Sequence, residues 1–337
     1  MALRLGAVLV LTVACLAWVL WGVDYDEAIA GLGRFRWGLV LPICSLYLAA
    51  HGLRAQRFRL LLPDNAARGG PLDYRASFSS LSIGYLALHV FPFRLGELVR
   101  PYLVREQRGV AFGDSLAVVV MERILDVLML LAMILGTSLF VPLPTRLEVG
   151  GTDILALAQR AAGVVALGGT VALGVVWAAG PEVARRIAPL PLGGRVAPLV
   201  VRFHGAVAGL VARPAAAMQA TLLSVGIWVL TLFAVQLQLV ATPGLPTDFG
   251  AALATWTATL SGMAVLPTPG FFGGFEAACT AALQLLGAPR SAAAPFAILL
   301  HLVQFGFTIV LGVGFLAWEG LSLREVVAQS QRGDTPG

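Results

Sequence analysis

His89-Val90-Phe91-Pro92-Phe93-Arg94-Leu95-Gly96-Glu97-Leu98-Val99-Arg100 and Val265-Leu266-Pro267-Thr268-Pro269-Gly270-Phe271-Phe272-Gly273-Gly274-Phe275-Glu276 interrupt two strongly apolar neighbourhoods in the same way. Each has a Pro, which cannot continue a helix. Each then has Gly, and then a Glu where a fresh apolar helix begins. One break falls in the N-terminal half and one in the C-terminal half. Matched Pro/Gly-interrupted apolar segments point to a substrate site between inverted repeats.

The surroundings of these breaks set the class. Of 337 residues, 58% are hydrophobic and 12% charged, where a soluble domain carries about 25% charge. Mean hydropathy is +0.85. The chain is expected to be all-α, a polytopic membrane helical bundle. Six stretches approach the roughly 20 apolar residues that a span needs: about 5–23, 37–58, 115–141, 161–179, 217–240 and 292–318. The first lacks an A-x-A cleavage site and reads as a retained helix rather than a signal peptide. The stretches 76–103 and 251–286 contain the two breaks. Each is either a pair of short helices entering and leaving on one side, or one span plus a surface helix. Non-helical backbone at that depth must be buried in protein or line a wet cavity.

Arginine placement sets orientation. All 23 basic residues are Arg. Residues 54–75 hold five Arg and two Asp, and residues 185–213 hold five Arg and no acid. The positive-inside rule puts both segments in the cytoplasm. That fits about six full spans plus two re-entrant helical hairpins, forming an inverted repeat: repeat A about 37–141, a cytoplasmic linker about 181–215, and repeat B about 217–318. The net charge of +5 suits anionic lipid surfaces and not nucleic acid. Cys15, Cys44 and Cys279 lie in apolar stretches with no zinc or disulfide spacing. No nucleotide or metal motif is present, so no cofactor and no metal site are expected.

Three groups of residues carry candidate chemistry. Arg94, Glu97 and Arg100 recur every three positions on one helix face. They sit near a helix start that favours an anion. Two Arg against one Glu leave that face net positive, and Arg pairs bidentately with phosphate. Snorkelling anchors are the plainer reading. Glu122, Arg123 and Asp126 lie in an otherwise apolar span, where each charge costs at least about 2.5 kcal/mol on insertion scales. Arg123 and Asp126 can pair within the helix, while Glu122 and Asp126 repel unless a cation lies between them. Arg94 or Arg100 is the expected cation. Glu276 follows Pro267, Gly270, Gly273 and Gly274, which end one helix and permit a tight turn before the next. A helix cap is its plainer reading. Arg54 and Arg57 share a face at the end of the second span and read first as positive-inside anchors. His301 and Gln304 read as interhelical hydrogen-bond partners.

Pro92 to Arg100, Glu122-Arg123-Ile124-Leu125-Asp126, and Pro267 to Gly270 with Gly273 to Glu276 resemble three signatures of one family. It is the lysylphosphatidylglycerol synthase transmembrane region, or flippase-like domain, family. The resemblance covers about residues 5–320. It implies an integral membrane protein with two re-entrant hairpins that moves an amphipathic lipid between leaflets. In the name-giving members an aminoacyl-transferase domain follows. This chain runs about 19 residues past Trp318, so synthesis of lysyl-phosphatidylglycerol is not expected.

The sequence reading is therefore a lipid flippase of the bacterial inner membrane, not an enzyme. Its substrate is an amphipathic lipid, anionic or glycan-linked. A homo-oligomer and a lipid-modifying enzyme partner stay open. A polyprenyl-phosphate-dependent glycosyl- or acyl-transferase is the alternative, and a non-transporting scaffold is a third reading.

Overall fold

A computed structural model describes residues 2–332 except 65, 69, 91–95, 142–147, 150–151, 154–170, 172–173, 191–192 and 266–267. The expected span at 161–179 lies largely outside these residues, as do Arg94 and Pro267. The chain is an all-α membrane bundle, with one antiparallel pair of two-residue strands, β1 (Glu148–Val149) and β2 (Thr152–Asp153).

The helices are α1 (Ala2–Leu20), α2 (Tyr25–Gly33), α3 (Val40–Leu61), α4 (Tyr74–Val90), α5 (Gly96–Arg108), α6 (Phe112–Phe140), α7 (174–187), α8 (Gly193–Val211), α9 (Pro214–Ala241), α10 (Phe249–Val265), α11 (Gly274–Leu285), α12 (Arg290–Glu319) and α13 (Leu323–Arg332). Short 3-10 turns at Trp37–Leu39 and Pro269–Phe271 precede α3 and α11. Local signals explain the ends. The Asp24 carboxylate accepts from the backbone N–H groups of Asp26 and Glu27 at the start of α2. Asp73 and Asp248 do the same for Ala76 and Ala251 at the starts of α4 and α10. Each cap satisfies N–H groups that have no partner within the helix. Pro214 opens α9, and left-handed Gly320 closes α12.

Three helical segments among the described residues combine span length with apolar composition: Trp37–Leu61, Pro214–Ala241 and Arg290–Glu319. Helix α6 matches them in length, at 29 residues, and carries Asp114, Glu122, Arg123 and Asp126. Large apolar side chains such as Leu41, Phe140, Val310 and Trp318 point outward. Water would penalise this surface, whereas lipid accepts it.

Helix α3 packs along α9, and α12 packs against both α4 and α11. One apolar core joins α9 to α12 through Val235, Leu239, Trp256, Phe275, Leu283, Phe296 and Leu300. A second gathers Phe58, Leu62, Leu72, Val104, Val118 and Ala220 from the N-terminal half and α9. The amphipathic α13 buries Val326 and Val327 beside Leu103 of α5 and Leu316 of α12.

Both sequence breaks separate tightly packed helix pairs. Helices α4 and α5 close on Gly96, where a Cβ would collide with the Leu88 nitrogen and the Gly84 oxygen. Helices α10 and α11 close on Gly262, where a Cβ would collide with that of Ala278. The second break turns through Gly270 (φ 58°), Phe271 (φ 65°) and Gly273 (φ 86°). Phe271 is the one non-glycine residue with positive φ among those described. Such strain persists only where its surroundings enforce it. Here the turn lies on the end of α4: a Cβ on Gly270 would stand 3.2 Å from the His89 carbonyl oxygen.

Candidate functional site

Three helices bring charge into the apolar interior, and a fourth adds a hydroxyl. Arg57 of α3 donates through Nη1 to Asp126 Oδ1 of α6 at 2.9 Å and to Ser224 Oγ of α9 at 2.9 Å. Its Nε lies 3.5 Å from Glu122 Oε1. Arg100 of α5 donates through Nη1 to Glu122 Oε2 at 2.6 Å. The Arg100 guanidinium carbon sits 3.6 Å from the centroid of the Phe58 ring, close enough for a cation–π contact. Arg123 reaches Asp126 at 3.6 Å and Glu97 at 3.8 Å. Arg57, Arg100 and Glu122 are 2%, 6% and 3% exposed, so these charges are withdrawn from solvent and must neutralise one another.

The pairing differs from the sequence expectation in the identity of the central cation. The cation between Glu122 and Asp126 is Arg57, while Arg100 reaches Glu122 alone. Arg57 is therefore buried in the network and is no surface anchor. Arg54, one turn earlier, is half-buried. Among the described residues, Arg57, Arg100 and Arg123 meet Glu97, Glu122 and Asp126; Arg94, the other arginine of the face expected to be net positive, lies outside them.

Ion pairing is not satisfaction of every donor. Among the described residues, Arg100 Nε and Nη2, Arg123 Nε, Arg57 Nε and Glu122 Oε1 are buried without a hydrogen-bond partner. Leaving such atoms unpaired costs about 1–3 kcal/mol each. Several border a cleft lined by Gly84, Tyr85, Gly96, Glu97, Arg100 and Arg123. Its volume of about 20 Å³ admits one water molecule and no headgroup. This conformation is closed around unsatisfied Arg donors. Tyr85 lies within electrostatic reach of Arg57, Arg100 and Arg123. Nothing in the sequence separates Tyr85 from any other aromatic residue on an apolar helix.

A second cluster forms behind the C-terminal break. Glu276 Oε2 accepts the Gly273 backbone N–H at 2.7 Å, which caps α11. Its other oxygen, Oε1, lies 2.7 Å from Nδ1 of His301 on α12. The His301 ring stacks on Phe275 at 4.4 Å and meets Phe272 at 4.6 Å. Glu276 is thus both a cap and an interhelical partner. His301 was legible only as a generic hydrogen-bonding residue, because its partner lies 25 positions away. Gly270 and Gly273 shape the turn, and Gly274 begins α11 with its carbonyl oxygen 3.6 Å from where a Cβ on Gly262 would stand.

Helix α4 joins the two clusters. Tyr85 lines the cleft, and its carbonyl oxygen is 2.7 Å from His89 Nδ1. The His89 ring contacts Phe271 at 6.0 Å and Phe305 at 5.3 Å. The second break therefore rests on the end of α4, one turn from the cleft.

A family model described as "Lysylphosphatidylglycerol synthase TM region" matches residues 4–312. Among curated proteins, the chain is similar to one named "Glycosyltransferase AglD" from Haloferax volcanii, at 29% identity over 96% of this chain and 55% of that protein. The chain thus spans about half the length of the curated relative it matches. No solved structure gives a significant match. The expectation that the chain is not an enzyme is corrected by the relative's name, which is that of an enzyme.

Proposed function

We propose, on the premise that this chain belongs to the lysylphosphatidylglycerol synthase transmembrane region family, that it moves an amphipathic lipid, anionic or glycan-linked, between the leaflets of a membrane. The observation that carries this reading is the closed cleft beside Arg100. Buried guanidinium donors without partners suit a phosphate group, and the cleft abuts a broken helix pair that can move as a unit. Arg100, with Arg94, holds the headgroup phosphate. Glu97 and Glu276 hold the tips of the two broken pairs, which Pro267, Gly270, Gly273 and Gly274 shape. Arg54, Arg57, Glu122, Arg123 and Asp126 rearrange as the cleft opens to one side and then to the other, while the acyl chains stay in lipid.

In this reading α4–α5 and α10–α11 are re-entrant pairs, with about six full spans around them. Residues 37–141 and 217–318 are inverted repeats. The Arg-rich segments face the cytoplasm of a bacterial inner membrane. The Gly-closed contact in each helix pair supports this arrangement.

A headgroup-labelled lipid assay in liposomes tests the reading. Wild type is expected to move a phosphate-bearing lipid. Arg100→Lys, which keeps the charge but loses the guanidinium fork, is expected to slow movement at least about tenfold, the rate equivalent of one lost hydrogen bond. Equal rates would sink the reading.

A second reading is favoured by the relative's name. Here the chain is the membrane part of a glycosyltransferase acting on a polyprenyl-phosphate lipid. The same Arg-lined cleft would then hold the phosphate of that lipid during sugar transfer. A covalently altered lipid would single out this reading, whereas movement of an unaltered lipid supports transport.

A further inference from the structure

We infer that a phospholipid with a primary-amine headgroup, of the phosphatidylethanolamine class, seats in a cavity remote from the charged network. The inference does not depend on the transport reading. The cavity lies between α2, the end of α9 and the start of α12, and has a volume of about 250 Å³. Its walls include Glu27, Arg34, Phe35, Ser291, Pro295 and Leu299. Roughly 25 Å along α9, at 1.5 Å per residue, separates Ser224 of the charged network from Ala241 at this end. Helix α2 is held on both sides of the space. Ala28 shares an apolar cluster with Ala294 of α12, and Phe35, just past α2, shares another with Ala241 and Leu299. A drug-sized ligand takes about 300–1,000 Å³, so this cavity suits something smaller, such as a headgroup.

The lining selects which headgroup. Glu27 and Arg34 are the charged residues that line the cavity. Among the described residues neither makes an ion pair. Arg34 gives Nε to the Ala30 carbonyl at 3.3 Å, which leaves its Nη groups for a phosphate. The Glu27 carboxylate is left for a cation. Pro295 has no N–H for the Ser291 carbonyl one turn back, which adds an acceptor to the same wall. Of the neighbouring charges, Asp24 caps α2, and Arg290 donates to the Trp18 and Val19 carbonyls of α1. The cavity thus offers one unmatched charge of each sign. Phosphatidylglycerol brings no cation to Glu27. Phosphatidylcholine brings a cation without an N–H. Phosphatidylethanolamine brings phosphate to Arg34 and three N–H donors to Glu27 and the Ser291 carbonyl.

Depth agrees with a lipid. Trp18, Trp21, Tyr25 and Trp37 are exposed at this end of the bundle, and such aromatic belts sit at the level of the headgroups. Phe35 and Leu299 give the glycerol an apolar wall. A water-soluble phosphoethanolamine shares the headgroup chemistry but would make no use of that wall or of the belt.

Native mass spectrometry of the purified protein in detergent reads the binding. The probes are short-chain phosphatidylethanolamine, phosphatidylglycerol and phosphatidylcholine, with glycerophosphoethanolamine as the soluble headgroup. Phosphatidylethanolamine is expected to bind at least about tenfold more tightly than the other three, the equilibrium equivalent of one charge-assisted hydrogen bond. It should also raise the unfolding temperature in a saturable way. Glu27→Gln and Arg34→Gln, both at exposed positions, are each expected to weaken it about tenfold. Gly31→Leu is the blocking variant. Gly31 lines the cavity, and a Cβ there meets nothing within 4 Å. The added side chain should fill the space, abolish binding and leave the unfolding temperature without lipid at or above that of wild type. Equal affinity for the three lipids, or binding that survives in Gly31→Leu, overturns the site. Glycerophosphoethanolamine binding as tightly as the lipid overturns the membrane source of the ligand.

Discussion

Arg57 and Asp126 are 69 positions apart in the chain and 2.9 Å apart in space. Their pairing ties α3 to α6, and Ser224 adds α9 to the same guanidinium. Removing one partner strands a buried charge. Arg57→Ala is therefore expected to cost roughly 3–5 kcal/mol, read as a lower unfolding temperature in detergent. The double variant Arg57→Met/Asp126→Leu should recover much of the loss, because apolar pairs of similar volume replace buried ion pairs well. A double variant as unstable as the single one would show that the pair matters for more than charge.

Gly96 and Gly84 face each other but tolerate different changes. A Cβ on Gly96 runs into backbone atoms of α4, which cannot yield. A Cβ on Gly84 meets its nearest atoms at 3.4 and 3.5 Å, ordinary contact distances. Gly96→Ala should separate α4 from α5 at a cost of about 1–3 kcal/mol or more. Gly84→Ala should stay near wild type in thermal stability. The opposite order would show that the two helices pack in another register.

His301→Phe preserves an aromatic ring on Phe275 and removes the group that faces Glu276 Oε1. The carboxylate then keeps the Gly273 N–H alone. A loss of about 1–3 kcal/mol is expected for the unpaired oxygen, measured by chemical denaturation in mixed micelles. Adding Glu276→Gln to His301→Phe should restore part of it, because a neutral amide is less costly to bury than a charge. No restoration would mean that stacking geometry, and not the carboxylate, sets the loss.

Gly273→Ala combines two penalties. The residue sits at φ 86°, where a Cβ costs roughly 1–2 kcal/mol, and that Cβ would stand 2.8 Å from Thr12 oxygen and 2.9 Å from Cys15 Cβ of α1. Helix α1 must move away. With Cys44 and Cys279 replaced by Ala, the rate of Cys15 alkylation should rise several-fold over the same background with Gly273 intact. An unchanged rate would show that α1 does not rest on this turn.

These features were legible to different degrees. Pro and Gly act locally, so both helix breaks could be read at the residues where they occur. The charges in α6 also stood out, because nothing else explains Glu122-Arg123 and Asp126 in an apolar span. Partner identity was not legible. An Arg near the end of a span looks the same as sequence whether it snorkels to headgroups or turns inward, and for Arg57 the choice is made by α6 and α9. The same holds for His301, whose meaning depends on a carboxylate one helix away. Tyr85 carries no sequence signal at all; its position comes from the Gly84–Gly96 approach.

The separation of Arg57 from Asp126 also sets an order of events during synthesis. At about 5–20 residues per second, the ribosome needs roughly 3–14 s after making Arg57 before it reaches Asp126. Throughout that interval α3 carries near its end an arginine that is costly to bury in apolar surroundings, and its counter-ion does not yet exist. The early helix must wait at the translocon or with Arg57 held toward the headgroups. It settles at its final depth only when α6 emerges, so biogenesis of this bundle is a post-insertion assembly rather than a helix-by-helix release.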